Sequence, residues 1–330
     1  MKRLTALLTA AMCAFSFAAC SNDAGAKTGD IQVISLNDVK NIPNAPFFCD
    51  DRIIFESSEG EEGASKLYAV NISDGSTELF NENVNGRVVS DDKNFYWVEE
   101  RGKDMFYLMS TSRETGNSVE ESVMGSLISP IYKTGNLILW AEKTNDAYNI
   151  KRFNTETKAK DNLTAVPLDN ESVKTVWSSH NGYVTTGYTD YTIKTNCVTV
   201  ENAAEQDSVK LTLDIPETPA SVISDGKNIF WGTSKGLYLR NMDEASSVKL
   251  AEASTKYMNI LNNKTLVYVT SEGAFTYNID TKEIKALDFG SENLTLSEST
   301  FYVNEDKTEA AFLLADKANP DAHSLAVVKF

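Results

Sequence analysis

The sequence is poor in the residues that build metal centres and nucleophilic sites. It holds only two histidines, His180 and His323, and four cysteines among 330 residues. A zinc site usually needs several His or Cys ligands at close spacing, and no such cluster is present. Both histidines are isolated in polar segments, where we expect them to be solvated. We therefore expect no metallohydrolase, no catalytic residue and no cofactor. The alternative is that acidic loops bind Ca²⁺.

One short motif is typical of an enzyme, but its surroundings are missing. The stretch GTSKG at Gly232–Gly236 matches the Gly-x-Ser-x-Gly pattern of serine hydrolases. That pattern needs a strand, a strained turn and then a helix. The residues that follow, LYLRN, predict a strand instead. We therefore do not expect Ser234 to be a nucleophile.

Basic residues are the scarcer charge. The chain has 31 Lys and Arg against 47 Asp and Glu, which gives a net charge of −16. Binding to nucleic acid depends on Lys and Arg contacts to phosphates. We therefore expect no nucleic-acid partner.

A long uncharged apolar run occurs at the N-terminus, over residues 4–19. It is shorter than the roughly 20 residues that cross a bilayer, so it predicts a cleaved export signal. Lys2 and Arg3 precede the run, and Ala18 and Ala19 stand before Cys20. This arrangement resembles a bacterial lipoprotein signal, and the resemblance implies that residues 1–19 are removed and that Cys20 is lipidated. An ordinary secretory signal is the alternative.

The polar residues 20–30 predict a flexible tether that reaches roughly 17 Å. Anionic lipid does not attract an acidic body, so the lipid on Cys20 would supply the membrane attachment. The expected location is the bacterial cell envelope, at the outer membrane.

A short apolar run recurs seven times, at a mean spacing of about 43 residues, the length of a four-stranded propeller blade. The runs begin at Arg52, Asn94, Asn136, Gly182, Asn228, Thr265 and Glu309. Each run follows a short strand that ends in an Asp, Asn or Gly turn, and two further strands come after it. Most of the runs are nearly continuous in apolar residues, as strands buried on both faces are. The sequence predicts an all-β fold over residues 31–330, a seven-bladed β-propeller. A pair of β-sandwiches is the alternative.

The seventh unit lacks a fourth strand, because the chain ends at Phe330 after the third. The segment IQVISLN from Ile31 is similar to the fourth strands of the other units. We predict that it completes the last blade and closes the ring, which removes the exposed sheet edges.

The repeats resemble bacterial propellers of the TolB-like and YWTD families over most of residues 31–330. The pairs Tyr96-Trp97 and Phe230-Trp231 carry this resemblance, but the Thr-Asp that usually follows is absent. We interpret both tryptophans as packing residues.

Two cysteines remain in the predicted propeller. Cys49 falls on the first strand of unit one and Cys197 on the third strand of unit four. These units would lie nearly opposite each other, and a disulfide needs Cα atoms within about 7 Å. We therefore predict two buried thiols.

The loops between second and third strands are predicted to open on one face of the disk, where they hold twelve acidic and five basic residues. We name as a candidate acidic rim Glu59, Glu61, Glu62, Glu99, Glu100, Asp104, Glu142, Asp146, Asp190 and Glu272. Such a rim would hold Ca²⁺ or attract a basic partner. An ordinary solvated surface is the alternative.

The leading functional expectation is a lipid-anchored propeller of the cell envelope that binds an envelope protein or a glycan without catalysis. The alternative is a propeller enzyme, a hydrolase or lyase of glycans or peptides that uses loop carboxylates. That chemistry needs two carboxyl groups about 5–9 Å apart in a pocket.

Overall fold

The structure is a computed structural model, and it describes residues 31–36, 47–49, 51–57, 66–81, 85–103, 105–127, 129–145, 147–167, 176–180, 182–190, 195–204, 209–297, 301–304 and 306–330. The predicted signal, residues 1–19, and the predicted tether, residues 20–30, lie outside the described residues. Within the described part, no helix is long and apolar enough to cross a membrane.

The described residues form thirty strands in seven antiparallel sheets, which we number in chain order. Sheet 1 contains β2 (Phe47–Cys49), β3 (Arg52–Ser57), β4 (Lys66–Asn71) and β5 (Thr77–Asn81). Sheet 2 contains β6 (Asn85–Ser90), β7 (Asn94–Glu100), β8 (Phe106–Ser112) and β9 (Ser118–Met124). Sheet 3 contains β10 (Ser126–Leu127), β11 (Tyr132–Thr134), β12 (Leu137–Lys143), β13 (Ala147–Asn154) and β14 (Lys160–Pro167). Sheet 4 contains β15 (Val176–His180), β16 (Tyr183–Asp190), β17 (Thr195–Asn202) and β18 (Val209–Ile215).

The last three sheets follow the same order. Sheet 5 contains β19 (Ser221–Ser224), β20 (Asn228–Thr233), β21 (Gly236–Asn241) and β22 (Val248–Ala251). Sheet 6 contains β23 (Thr255–Leu261), β24 (Thr265–Thr270), β25 (Gly273–Asn278) and β26 (Ile284–Ala286). Sheet 7 contains β27 (Leu294–Leu296), β28 (Tyr302–Val303), β29 (Glu309–Asp316), β30 (His323–Lys329) and the N-terminal β1 (Ile31–Ser35).

The arrangement of the sheets is that of a propeller with four-stranded blades. In sheets 3 and 7 the first strand is interrupted, because β10 and β11 both pair with β12, and β27 and β28 both pair with β29. First strands of neighbouring sheets contact one another: β2 with β6, β6 with β11, β11 with β15, β15 with β19, β19 with β23 and β28 with β2. Sheets 6 and 7 share a buried cluster that includes Leu261, Phe301 and Val303. The first strands therefore surround a common axis, and the predicted all-β propeller is confirmed.

The N-terminal strand β1 pairs antiparallel with the last strand β30, in a register that matches Ile31 with Val328. Ile34 of β1 also joins a hydrophobic cluster with Phe48 and Ile53 of sheet 1. The two ends of the described chain therefore meet in sheet 7.

The core lies between the sheets. Seven clusters of buried residues occur in the described part, and each draws on two neighbouring sheets. The second strands are buried on both faces, as the continuous apolar runs predict, and β20 is buried at all six positions. Trp97 and Trp231 lie in such clusters, so both are packing residues as predicted.

The Gly-x-Ser-x-Gly stretch is the end of β20, a tight turn and the start of β21. A Cβ atom on Gly232 would lie 2.3 Å from the carbonyl oxygen of Thr255, so only glycine fits without a backbone shift. Gly236 has φ +148°, and a Cβ atom there would lie 2.2 Å from the carbonyl oxygen of Ala251. Both glycines are explained by packing, and Ser234 is exposed in a turn between two strands.

Cys49 is buried on β2 of sheet 1, and Cys197 is on β17 of sheet 4. The two cysteines therefore belong to different sheets. The Cys197 side chain lies outside the described part, so the pair of thiols stays a prediction.

Candidate functional site

The disk has two faces. The loop face carries the connections from second to third strands, and it is the face of the candidate acidic rim. The turn face carries the turns from first to second strands, such as Asp225–Lys227, and those from third to fourth strands.

Half of the candidate acidic rim, Glu59, Glu61, Glu62, Asp104 and Asp146, lies outside the described residues. Asp190 ends β16, and its side chain is likewise outside the described part. Glu100 and Glu272 are exposed on the loop face. Binding of Ca²⁺ or of a basic partner at this rim stays a prediction.

Glu99 belongs to an ion-pair network instead of standing alone on the rim. Arg101 donates from Nη2 to Glu99 Oε2 and from Nη1 to Glu120 Oε2, both at 2.8 Å. These hydrogen bonds, to Glu99 and then Glu120, raise the pKa of Arg101. The guanidinium also stacks on Tyr107, 4.4 Å from the ring centre. The two carboxylates are therefore paired with one cation.

Our placement of Glu142 on an exposed rim is wrong. Glu142 lies inside β12 and is only 5% exposed. Its Oε2 atom accepts hydrogen bonds from Trp140 Nε1 at 2.8 Å and from the Gly125 amide at 3.0 Å. Lys151 Nζ stands 3.5 Å from Oε1. The strand extends further than the sequence pattern indicates, so this carboxylate is a buried, hydrogen-bonded group.

The described residues bring together no group of three or more His, Cys, Asp or Glu side chains that could hold a metal ion. Four described carboxylates have shifted pKa values, Asp74, Asp91, Asp161 and Glu217, and all four are lowered. A general acid at neutral pH needs a raised pKa instead. None of these four carboxylates therefore has the raised pKa of a general acid at neutral pH.

A cleft of about 530 Å³ opens on the turn face between sheets 3 and 4. The turn between β11 and β12, the facing ends of β13 and β14, and the sheet 4 turns line it. Its polar lining includes Thr134, Asn136, Arg152, Asn154, Thr157 and Asp161. A concave site with convergent polar groups is the usual place to look for a ligand.

An ion pair dominates the wall of this cleft. Arg152 and Asp161 face each other across β13 and β14. Arg152 donates from Nε to Oδ1 at 2.7 Å and from Nη2 to Oδ2 at 2.6 Å, a bidentate pair. Its Nη1 donates to the Ala203 carbonyl oxygen of sheet 4 at 2.8 Å. The hydrogen bonds raise the pKa of Arg152 and lower that of Asp161, so both stay charged at neutral pH.

His180 lies close to the cleft, two residues before its lining residue Gly182. Contrary to our expectation of a solvated side chain, it is 1% exposed at the end of β15. Nε2 and Asn263 Oδ1, in the β23–β24 turn, are 3.2 Å apart. Nδ1 has no hydrogen-bond partner among the described residues.

Burial lowers the pKa of His180 to about 4, and the nearby Lys307 adds to the shift, while Asn263 and Asp225 oppose it. Those three residues lie in the turns between the first and second strands of sheets 7, 6 and 5, which we call the first turns. The Asn262 amide also donates to the Lys307 carbonyl oxygen at 2.8 Å. First turns from four sheets therefore meet around a neutral imidazole.

Sequence reasoning missed this side of the molecule. The opposite charges of Arg152 and Asp161 flank a turn and are typical of a cross-strand pair. The cleft itself also requires sheet 4, because Ala203 is 51 residues away from Arg152. No local signal in the sequence marks such a contact.

The fold and the cleft define the chain as a β-propeller with four-stranded blades. No family model matches the sequence, and no curated protein matches it. The resemblance to TolB-like and YWTD propellers and the lipoprotein assignment therefore stay predictions.

Solved structures do match. The chain is similar to the propeller domain of the Trilobed protease from Pyrococcus furiosus, with a TM-score of 0.62 and 12% identity, over 88% of this chain and 94% of that one. It is similar to the Pyrococcus horikoshii acylaminoacyl peptidase, with a TM-score of 0.61 and 12% identity, over 88% of this chain and 51% of that one. A Mycobacterium tuberculosis puromycin-hydrolyzing peptidase matches with a TM-score of 0.59 and 11% identity, over 86% and 55%.

The chain thus spans nearly all of one solved propeller and about half the length of the two peptidases. Identities this low show the fold alone. Several of the solved propellers that resemble this one belong to peptidases, and this finding contradicts our leading expectation of a binding scaffold without catalysis.

Proposed function

We propose that this chain is a peptidase-type propeller that takes part in the hydrolysis of peptides and binds them in the cleft between sheets 3 and 4. The likeness to peptidase propellers over 84–88% of this chain carries the proposal. The cleft is large enough for a few residues of an extended peptide, and its ion pair is already in place. Glycans, the other substrate of our alternative, have no counterpart among these neighbours.

Purified full-length protein is expected to bind members of a defined pool of synthetic peptides. Mass spectrometry over time detects cleavage, and fluorescence anisotropy with a labelled peptide detects binding. Ser234→Ala is the control, since Ser234 lies in a turn on the loop face and should leave both signals unchanged. A folded protein that neither binds nor cleaves any peptide would contradict the proposal.

We propose further that the chain is exported and anchored to the bacterial envelope through lipid on Cys20. The apolar run, the basic residues before it and the small residues before Cys20 support this. Cys20→Ala should move the protein from the membrane pellet to the supernatant after fractionation, whereas Cys13→Ala should stay in the pellet. Retention of the Cys20 variant in the pellet would refute the anchor.

We infer that the ring has seven blades and that β1 closes it. The seven sheets, the pairing of β1 with β30 and the cluster between sheets 7 and 1 support this count. An experimental structure with six blades would contradict it.

A further inference from the structure

We propose that the Arg152–Asp161 pair recognises the main-chain amide groups of a peptide in the cleft, and reads neither the peptide's termini nor its side-chain charges. This inference rests on the proposed function and names the part of the substrate that the same cleft binds. Four observations lead to it: the charge balance of the cleft, its unused hydrogen-bonding capacity, the fixed geometry of its donors and its lining.

The lining of the cleft is electrically balanced. Arg152 and Asp161 are its charged residues among those described, and they neutralise each other. A carboxylate ligand would find an arginine whose charge is already compensated, and an ammonium group would find an aspartate in the same state. The pair therefore favours a neutral ligand that carries both a donor and an acceptor, as an amide does.

The pair keeps hydrogen-bonding capacity for such a ligand. A guanidinium has five N–H donors, and the contacts to Asp161 and Ala203 use three of them. A carboxylate offers about four acceptor positions, and Arg152 occupies two. Asp161 has 49% of its side chain exposed, so a ligand can reach it. A peptide carbonyl would accept from Arg152 while a peptide N–H donates to Asp161.

The donor geometry is held in place before any ligand binds. The bidentate contact fixes the plane of the guanidinium, and the Ala203 carbonyl oxygen ties it to sheet 4. Only 13% of the Arg152 side chain is exposed. A group that is already oriented loses little rotational freedom on binding, which favours affinity.

The lining argues against a saccharide. Sugar rings usually bind against an aromatic face, and no aromatic side chain lines the cleft among the described residues. Asn136, Asn154 and Thr157 add amide and hydroxyl groups that suit a peptide backbone.

The test is calorimetric titration of the full-length protein with four probes: the blocked hexapeptide acetyl-(Ala-Ser)₃-amide, its free-acid form, a version N-methylated at every amide, and maltohexaose. We expect the blocked and free-acid peptides to bind within about twofold of each other, because a terminal charge is not read. N-methylation should weaken binding at least about tenfold, because it removes the N–H donors. Maltohexaose should not bind.

The Asp161→Asn substitution should weaken binding of the blocked peptide at least about tenfold. Arg101→Lys is the matched control, since Arg101 also pairs with carboxylates but lies on the loop face, and it should bind as wild type does. Melting temperatures verify that each variant is folded. If Asp161→Asn unfolds, the N-methylated probe on wild-type protein still decides the question.

Several outcomes would overturn the inference while peptide hydrolysis stands. These are tighter binding of the free acid by tenfold or more, equal binding of the N-methylated peptide, or unchanged binding by folded Asp161→Asn. Binding of maltohexaose with no binding or cleavage of any peptide would overturn the proposed function as well.

Discussion

Replacing Glu142 by alanine is expected to lower the free energy of unfolding by about 3–5 kcal/mol, the range for removing one partner of a buried ion pair. The substitution leaves the Trp140 Nε1–H and the Gly125 amide without an acceptor, and it leaves Lys151 beside an empty space. Buried donors without acceptors carry the full cost of their desolvation. Urea denaturation at pH 7 measures the loss.

The matched control is another acidic residue that we assigned to the same rim. Glu272 is exposed, so Glu272→Ala should change the free energy of unfolding by no more than about 0.5 kcal/mol. Glu142→Gln keeps one acceptor oxygen and should fall between the two. A Glu142→Ala protein within about 1 kcal/mol of wild type would show that this carboxylate does not hold sheet 3 as described.

Lowering the pH from 7 to 4 is expected to remove about 3 kcal/mol of stability through His180 alone. The pKa of His180 is about 4 in the folded chain, below the ordinary value of 6.5. The unfolded chain therefore takes up the proton first as the pH falls. The stabilisation is complete above pH 6.5, declines as the pH drops, and is lost below about 4.

His180→Gln separates this contribution from all other titrating groups. Glutamine carries an amide that can still donate to Asn263, but it does not titrate. The difference in unfolding free energy between pH 7 and pH 4 should therefore be about 3 kcal/mol smaller in the variant. Titration of the His180 ring protons by NMR gives the pKa directly. A value near 6.5, or an unchanged pH dependence in the variant, would contradict the prediction.

Much of the fold could be predicted because its signals are local. The second strands of most units are continuous apolar runs, and such strands need neighbours on both faces. Their recurrence about every 43 residues predicts a series of four-stranded sheets that stack against one another. The spare segment at Ile31 and the missing last strand predict the pairing of β1 with β30, which the structure contains.

The functional expectation failed for a different reason. Few histidines and no reactive cluster indicated a binding scaffold without catalysis, but several solved propellers that resemble this one belong to peptidases. Neither the amino-acid composition nor the fold of a protein determines its function. A motif such as GTSKG does not establish a function either, since Gly232 and Gly236 are explained by the close approach of neighbouring backbone.

Local sequence signals were enough to predict the fold class, the approximate strand positions and the burial of Trp97 and Trp231, because apolar periodicity and turn residues act over a few neighbouring positions. The tertiary structure alone decided which polar groups meet. His180 is buried because Asn263, 83 residues away, and the other first turns converge on it. The cleft exists because sheet 4 lies against the Arg152–Asp161 pair. Burial, pKa and binding geometry depend on such distant contacts, and no short stretch of the chain encodes them.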